Sequence, residues 1–413
     1  MFLEGLNLLE FRKDHSLLAQ SLSERLDFSR WPVSLKDLPI GSALVGGSIR
    51  DALLNRLQDK PDLDLVVPSD AIKLAKQFAE GIGGTCVVLD ETRDIARWVI
   101  KEWTVDFASQ IGTCLKEDLL RRDYTINAIA LVLLPEPQIL DPTGGLIDLT
   151  KKQLIAVSEQ NLIDDPLRLL RGFRFLAELN FFFDNQTKFF LESNAHLLRR
   201  VARERIKGEL EKLIQGIWAD QVIPSLNKSR LLEPWQVLDQ PQNELIELSP
   251  NFSAFNSTEL EIGLPLIRLT KLLSDQGLKE LSFSRKKLQN CHLLRYWQLK
   301  NDGFAFENLS ENDRFRLHKD LENILPALIL GLSFRDQKLW LKRWRDNDDP
   351  LFHPSCPLDG GALQKIISAS EGPWIGELIN LISQEKAFGR LKTEEEVFQF
   401  ARYWWAHNKP FCD

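Results

Sequence analysis

No two cysteines of this chain are spaced for a shared task. The five (Cys86, Cys114, Cys291, Cys356 and Cys412) are scattered, odd in number and never arranged as C-x-x-C. That argues against a disulfide scaffold and a zinc site, and fits a reducing cytoplasm. The six histidines are equally dispersed, and no His-Asp dipeptide occurs, so a metal phosphohydrolase module has no support. No apolar run is long enough to cross a bilayer. Met1 to Arg12 mixes Glu, Arg and Lys with leucines and lacks a signal-peptide layout. There is no internal repeat and no low-complexity tract. Positive charge is not in excess either: the formal net charge is −7, which weakens any case for non-specific nucleic-acid binding. An RNA binder of this charge needs a local basic stripe. One exists at Arg199 to Lys212, R-R-V-A-R-E-R-I-K-G-E-L-E-K. Its plainest reading is a solvated helix with Glu–Lys/Arg pairs four residues apart.

What is present is ordinary globular material. With 44% hydrophobic residues over 413 positions, the chain can build two to four structural units, and a largely disordered protein is excluded. Residues 1–40 read as a helical extension with a proline-containing approach to the first strand. Ser42 to Val45 is a short strand ending in Gly46-Gly47. Ser48 to Leu57 has helical spacing of Ile49, Ala52, Leu53 and Leu57. Asp64 to Val67 reads as a strand, and Pro68-Ser69-Asp70 as the cap of a helix over Ala71 to Glu80. Strand-like runs follow at Thr85–Leu89, Ile95–Ile100 and Thr104–Phe107. From about Leu115 helical patterns dominate. They are interrupted at Asp141-Pro-Thr-Gly-Gly145, near Pro241–Ser257 and at Asp346–Pro357. The expected architecture is an α+β head followed by a long all-helical body.

The head carries the first chemistry. Period-2 alternation puts Asp62 and Asp64 on one strand face, with Leu63 and Leu65 on the other. Carboxylates so close repel one another unless a cation sits between them. Oxygen-only ligation with a phosphate co-ligand suits Mg²⁺. Asp106, on a later apolar strand, can complete a three-carboxylate cluster for in-line phosphoryl transfer. The Gly46-Gly47 turn opens a helix whose N–H groups can cradle a triphosphate, and Arg50 stands in its first turn. Each piece alone is weak. The ordered set resembles the DNA polymerase β superfamily of nucleotidyltransferases.

Four later segments narrow the resemblance. They are Arg121-Arg122-Asp123-Tyr124-Thr-Ile-Asn-Ala, Asp141-Pro-Thr-Gly-Gly145, Asp164-Asp165-Pro166-Leu-Arg168-Leu-Leu-Arg171-Gly-Phe-Arg174-Phe175, and Arg205-Ile-Lys-Gly-Glu209-Leu. With Gly46-Gly47-Ser-Ile-Arg50-Asp51 they are similar to the five ordered motifs of the class II CCA-adding enzyme and poly(A) polymerase family, over about residues 40–215. Read from the residues, Pro166 starts a helix. Arg168, Arg171 and Arg174 recur every third residue and share a face, while Leu169, Leu170, Phe173 and Phe175 suit a core. Asp165 can accept from the amino group of cytosine or adenine, and Arg168 can donate to ring nitrogen and carbonyl oxygen.

The resemblance implies a polymerase β-like head (residues 41–150, a mixed sheet with helices), then an all-helical neck bearing the template helix (151–218), then a helical body and tail (219–413). It implies catalytic Asp62, Asp64 and Asp106, with metal at Asp62 and Asp64. It also implies nucleotide contacts from Gly46, Gly47, Arg50, Arg122 (triphosphate), Asp123 (ribose), Asp165, Arg168, Arg171 and Arg174. It raises Arg199, Arg200, Arg203, Arg205 and Lys207 to tRNA contacts. The expected partners are tRNA lacking its 3′ CCA, CTP and in second place ATP, with Mg²⁺. No membrane and no obligatory protein partner are expected. Two positions depart from the family: Asp164 stands where Glu is usual, and Gly172 where Ala is usual.

Members of the family differ in what they add. Full CCA-adding and A-adding members carry a long flexible loop between the third acid and the Arg-Arg-Asp motif. Here only Phe107 to Leu115 fills that place, as in CC-adding enzymes. CC addition is therefore the first expectation, ahead of CCA addition, A addition and poly(A) synthesis. Two readings from other classes stand beside it. A non-catalytic RNA-binding protein is disfavoured by the intact aspartates. A nucleotidyltransferase for small molecules or proteins would need neither template helix nor long helical body.

Overall fold

The computed structural model describes residues 15–236, 252–300 and 308–408. Residues 1–14 of the expected N-terminal extension, most of the Pro241–Ser257 break, and Cys412 lie outside them. The chain forms two compact units, meeting in sequence between Leu231 and Leu232.

In the first unit, helix α1 (His15–Leu26) precedes β1 (Ala43–Val45), α2 (Gly47–Leu53), β2 (Leu63–Val67), α3 (Ala71–Ile82), β3 (Thr85–Asp90), β4 (Ile95–Ile100) and β5 (Trp103–Ser109). Then come α4 (Leu115–Leu120), β6 (Ala130–Val132), β7 (Gln138–Leu140) and α5 (Gly145–Lys151). The seven strands form one sheet in the order β3-β4-β5-β2-β1-β6-β7, in which only β2 and β5 run parallel. Alternation along β4 and β5 sorts the side chains. Trp98 and Phe107 are buried against α3, where Phe78 stacks on both at 5.4 and 5.5 Å. Arg97 and Asp106 point to the opposite face, held in place by that aromatic packing.

Three local expectations change. The helix after the glycine turn stops at Leu53, because Asn55 takes a left-handed conformation. Asp70 is itself left-handed and does not cap α3. Asp94, from the β3–β4 turn, accepts from the amides of Ala71 and Ile72 at 2.8 and 3.0 Å instead. Strands β6 and β7 occupy sequence read as helical. Each has three residues, too few for alternation to show, and a short buried apolar run has no distinguishing period.

The unit continues through β8 (Gln153–Leu154), α6 (Glu159–Asp164), α7 (Leu167–Leu179), β9 (Phe182–Phe183), α8 (Asn185–Ser193), α9 (Arg203–Leu213) and α10 (Ala219–Lys228). Helix α7 buries Leu169, Leu170, Phe173 and Phe175 and packs on α9 and α10.

The second unit is helical throughout its described residues. It comprises α11 (Ser257–Leu272), α12 (Asp275–Glu280), α13 (Arg285–Lys300), α14 (Glu311–Leu321), α15 (Leu325–Ile329), α16 (Phe334–Trp344), α17 (Gly360–Ile367), α18 (Trp374–Ala387) and α19 (Glu394–Asn408). Asn256 and Glu259 form a capping box on α11, and Arg345 grips the buried Glu259 at 2.6 and 2.7 Å. The Gly372-Pro-Trp-Ile-Gly376 run opens α18, with Trp374 buried beside Trp405, 4.8 Å between rings. No described helix is long and apolar enough to cross a membrane.

Candidate nucleotidyltransfer site

The parallel pairing of β2 with β5 sets Asp64 directly beside Asp106. Asp62 stands one residue ahead of β2 and is exposed. Burial first, then the nearby charges of Asp106 and Asp62, push the Asp64 carboxyl up to about 6, against the pull of Arg122. Gly46 closes on the same point. Its φ is +79°, and a Cβ added there would come within 3.0 Å of Asp64 Oδ2 and 3.6 Å of Arg122 Nη1. Glycine turn, carboxylate and arginine, far apart in sequence, therefore converge.

The expected three-carboxylate cluster is not gathered. Among the described residues no three His, Cys, Asp or Glu side chains are grouped to hold a metal ion. Asp106 is instead paired with Arg97, directly across from it in the β4–β5 hairpin. Arg97 Nε and Nη2 donate to Asp106 Oδ1 and Oδ2 at 2.7 and 2.8 Å. Asp62 and Asp64 still fit a hard divalent ion, which is commonly held by one or two carboxylates with substrate phosphates completing its shell. The burial and mutual repulsion acting on Asp64 are what such an ion would relieve.

Around this point the arginines of the later motifs are fixed one by one. Arg50 is buried. It donates to both oxygens of Asp51 and, at 2.9 Å, to Asn127 Oδ1, so it braces the helix and the 125–127 turn. Arg122 pairs with Asp118 at 3.3 Å. Asp123 is buried and receives the Tyr124 amide, Asn127 Nδ2 and, at 3.1 Å, Arg171 Nε. Burial works to raise the Asp123 carboxyl, but Arg171 and these hydrogen bonds hold it below the usual carboxylate range.

Helix α7 presents Arg168, Arg171 and Arg174 along one side, as their spacing predicts. Each has its own acceptor. Arg168 Nη1 donates to the carbonyls of Arg121 and Asn161 at 2.8 and 2.9 Å. Arg174 lies 3.0 Å from Glu209 and 3.7 Å from Glu178. Phe175, expected only as core, is buried with the guanidinia of Arg50, Arg171 and Arg174 over its ring at 5.2, 5.6 and 4.4 Å. Tyr124 Oη donates to the Arg168 carbonyl at 2.8 Å. The same hydroxyl explains Gly172: a Cβ there would meet Tyr124 Oη at 2.2 Å.

Arg168 N donates to the Asp165 carbonyl at 3.0 Å, but the two side chains do not bond each other. Asp165 accepts from Arg205 Nη2 at 2.9 Å. Arg205, grouped by sequence with the RNA-facing stretch, therefore turns toward the template carboxylate. Arg199, Arg200 and Arg203 are exposed, and Lys207 is half-buried. The sequence reading missed Arg97, Asn127, Tyr124 and Asn161 as site builders. Asn161 Nδ2 donates to the carbonyls of Leu120 and Arg122, both at 2.8 Å, tying the start of the neck to the Arg-Arg-Asp segment. Nothing in its own neighbourhood of the sequence signals that role.

The Arg205 geometry yields a prediction. Arg205→Ala should lower the preference for CTP over UTP by up to about fivefold, the scale of one partly exposed ion pair, and leave tRNA affinity nearly unchanged. Arg203→Ala should do the reverse, weakening tRNA binding with a shallower salt dependence and leaving base choice alone. Single-nucleotide incorporation and filter binding separate the two. A tRNA-affinity loss in Arg205→Ala with base preference intact would return Arg205 to the RNA.

Paired strand carboxylates, a glycine turn and an arginine-lined helix together define a nucleotidyltransferase of the polymerase β type. The chain matches the Poly A polymerase head domain over residues 42–155, and the probable RNA and SrmB-binding site of polymerase A over residues 180–237. It is 32% identical to the CC-adding tRNA nucleotidyltransferase of Synechocystis sp., over 90% of this chain and 95% of that protein. It is 40% identical to the CC-adding tRNA nucleotidyltransferase of Geobacter sulfurreducens, over 42% of this chain and 40% of that one. The fold is that of a Thermotoga maritima CCA-adding enzyme solved in complex with tRNA, with a TM-score of 0.68 at 23% identity, covering 95% of this chain and 97% of that one. The chain belongs to the family of tRNA nucleotidyltransferases and poly(A) polymerases.

Proposed function

We propose that this enzyme adds CC to the 3′ end of tRNA lacking its CCA, from CTP and without a nucleic-acid template, releasing pyrophosphate, in the cytoplasm. Asp62 and Asp64 hold Mg²⁺, which when bound supplies charge neutralisation at the transferred phosphate. The Gly46-Gly47 turn and Arg122 take the triphosphate, Asp123 with Arg171 the ribose side, and Asp165 with Arg168 the Watson–Crick edge of cytosine. Arg50 and Arg174 keep that wall rigid. Arg199, Arg200, Arg203 and Lys207 meet the RNA. Residues 41–150 act as catalytic head, 151–218 as neck, and 219–413 as the body and tail that grip tRNA.

The observation that carries this reading is the template wall itself. An acceptor, Asp165, and a donor fork, Arg168, stand together at the start of α7, each held by protein partners. CC addition is supported further by the connection after β5. Only residues 110–114 join it to α4, and they are tied down. Gln110 N donates to the Val67 carbonyl at 2.8 Å, Ile111 N to Asp118 at 3.3 Å, and Thr113 N to Glu117 at 2.7 Å. Incubating the purified protein with CCA-less tRNA and each labelled nucleotide alone tests the proposal. CTP should be incorporated in a magnesium-dependent way and UTP and GTP should not. Absence of CTP incorporation on tRNA would overturn it.

A further inference from the structure

Arg97 has no role in the expectations above, yet it touches the catalytic face more closely than any other cation described there. The β4–β5 register sets it opposite Asp106, and β2–β5 pairing sets Asp106 beside Asp64. Its guanidinium donates to both Asp106 oxygens, at 2.7 and 2.8 Å. It is thus the resident counter-cation of Asp106. The grip is also releasable. Arg97 is exposed and its cross-strand neighbour Val87 is small and exposed, so no packing resists a swing of the side chain.

We propose that Arg97 is a positioning residue that keeps Asp106 out of metal coordination in the nucleotide-free protein, so that Asp106 becomes a metal ligand only when the nucleotide's phosphates draw the guanidinium away. The fork satisfies both Asp106 oxygens, and a divalent ion arriving there meets a like charge. A triphosphate offers the same fork a more highly charged partner. Binding of nucleotide and of the second ion then become coupled, and an ion alone fills only the Asp62–Asp64 position. This rests on the reading of Asp62 and Asp64 as metal-holding carboxylates.

The test is Mn²⁺ titration followed by the EPR signal of free Mn²⁺, on the full chain without nucleotide. Arg97→Ala should bind Mn²⁺ about tenfold more tightly at the Asp106 position than wild type, the scale expected from losing one ion pair and one repulsion. Arg97→Lys, which keeps charge but not the fork, should fall between. The gain should vanish when Arg97→Ala is combined with Asp106→Asn. With CTP present, wild type and Arg97→Ala should converge. Thermal melts establish that the variants fold. Equal nucleotide-free Mn²⁺ affinity in wild type and folded Arg97→Ala overturns the proposal while leaving the metal reading intact. If Asp64→Asn leaves wild-type Mn²⁺ binding unchanged, the metal reading itself fails, and the proposal with it.

Discussion

Asp64→Asn should abolish nucleotide addition and yet leave the protein at least as stable as before. On the proposed metal assignment, losing Asp64 should cost about 10³-fold or more in rate, because the transferred phosphate would lose its main charge stabilisation. The stability half follows from the position of the residue. In metal-free protein the Asp64 carboxyl titrates at about 6, above its ordinary value of 3.8. A carboxyl raised on folding stabilises the protein below the unfolded value, and that contribution is lost as pH rises through the folded value. At neutral pH the ionised form therefore costs stability, by at most about 3 kcal/mol. An amide of the same shape removes the cost. Melting in EDTA at pH 5 and pH 8 should show wild type losing stability with pH across this window more steeply than Asp64→Asn. Activity within about tenfold of wild type would end the metal assignment. A large drop in melting temperature would mean that the carboxylate has a structural partner instead.

Given CCA-less tRNA with CTP and ATP together, the protein should add two C residues and stop. Adenine presents the same amino donor as cytosine, so Asp165 and Arg168 could in principle pair with either base. Accepting the larger purine requires the helix bearing them to move. That helix is tied at Arg168 to the carbonyls of Arg121 and Asn161, at Arg171 to Asp123 and at Arg174 to Glu209. Residues 110–114, bonded to Val67, Glu117 and Asp118, have no slack with which to lever it. A shift disfavoured by about 3 kcal/mol already suppresses A addition more than a hundredfold. Gel resolution of products at single-nucleotide length reads the outcome directly. Efficient completion to CCA by this protein alone would refute it, and inserting a longer flexible segment at Gly112 should begin to restore A addition.

Much of this site could be read from the chain. The arginines of α7 share a side because three-residue spacing dictates it, and Asp64 meets Asp106 because both lie on strands whose alternation was visible. Arg97 was legible but not read. Its hairpin turns on Lys101-Glu102 alone, pairing Ile100 with Trp103, and that register carries Arg97 to Asp106. Other features depend on tertiary pairing that no local pattern encodes. Asp94 caps a helix that Asp70 was expected to cap, because the β3–β4 turn folds back over it. Strand β6 exists because β1 offers it an edge, and β7 because β6 does in turn, not through any period of their own. Arg205 looked like part of an RNA-facing stripe, and its turn toward Asp165 follows only from how α9 packs on α7.

The hydroxyl of Tyr124 sits where a methyl group at position 172 would be, while donating to the carbonyl of Arg168. Phenol and bare backbone fit as key and keyway. Helix α7 is thereby coupled to the segment that includes Arg122 and Asp123, to which Arg171 is also tied. On the proposed roles, choosing the nucleotide and seating it are thereby the work of one mechanical part. A methyl at 172 demands a retreat at 124, so a replacement of Gly172 is expected to come with a change at Tyr124.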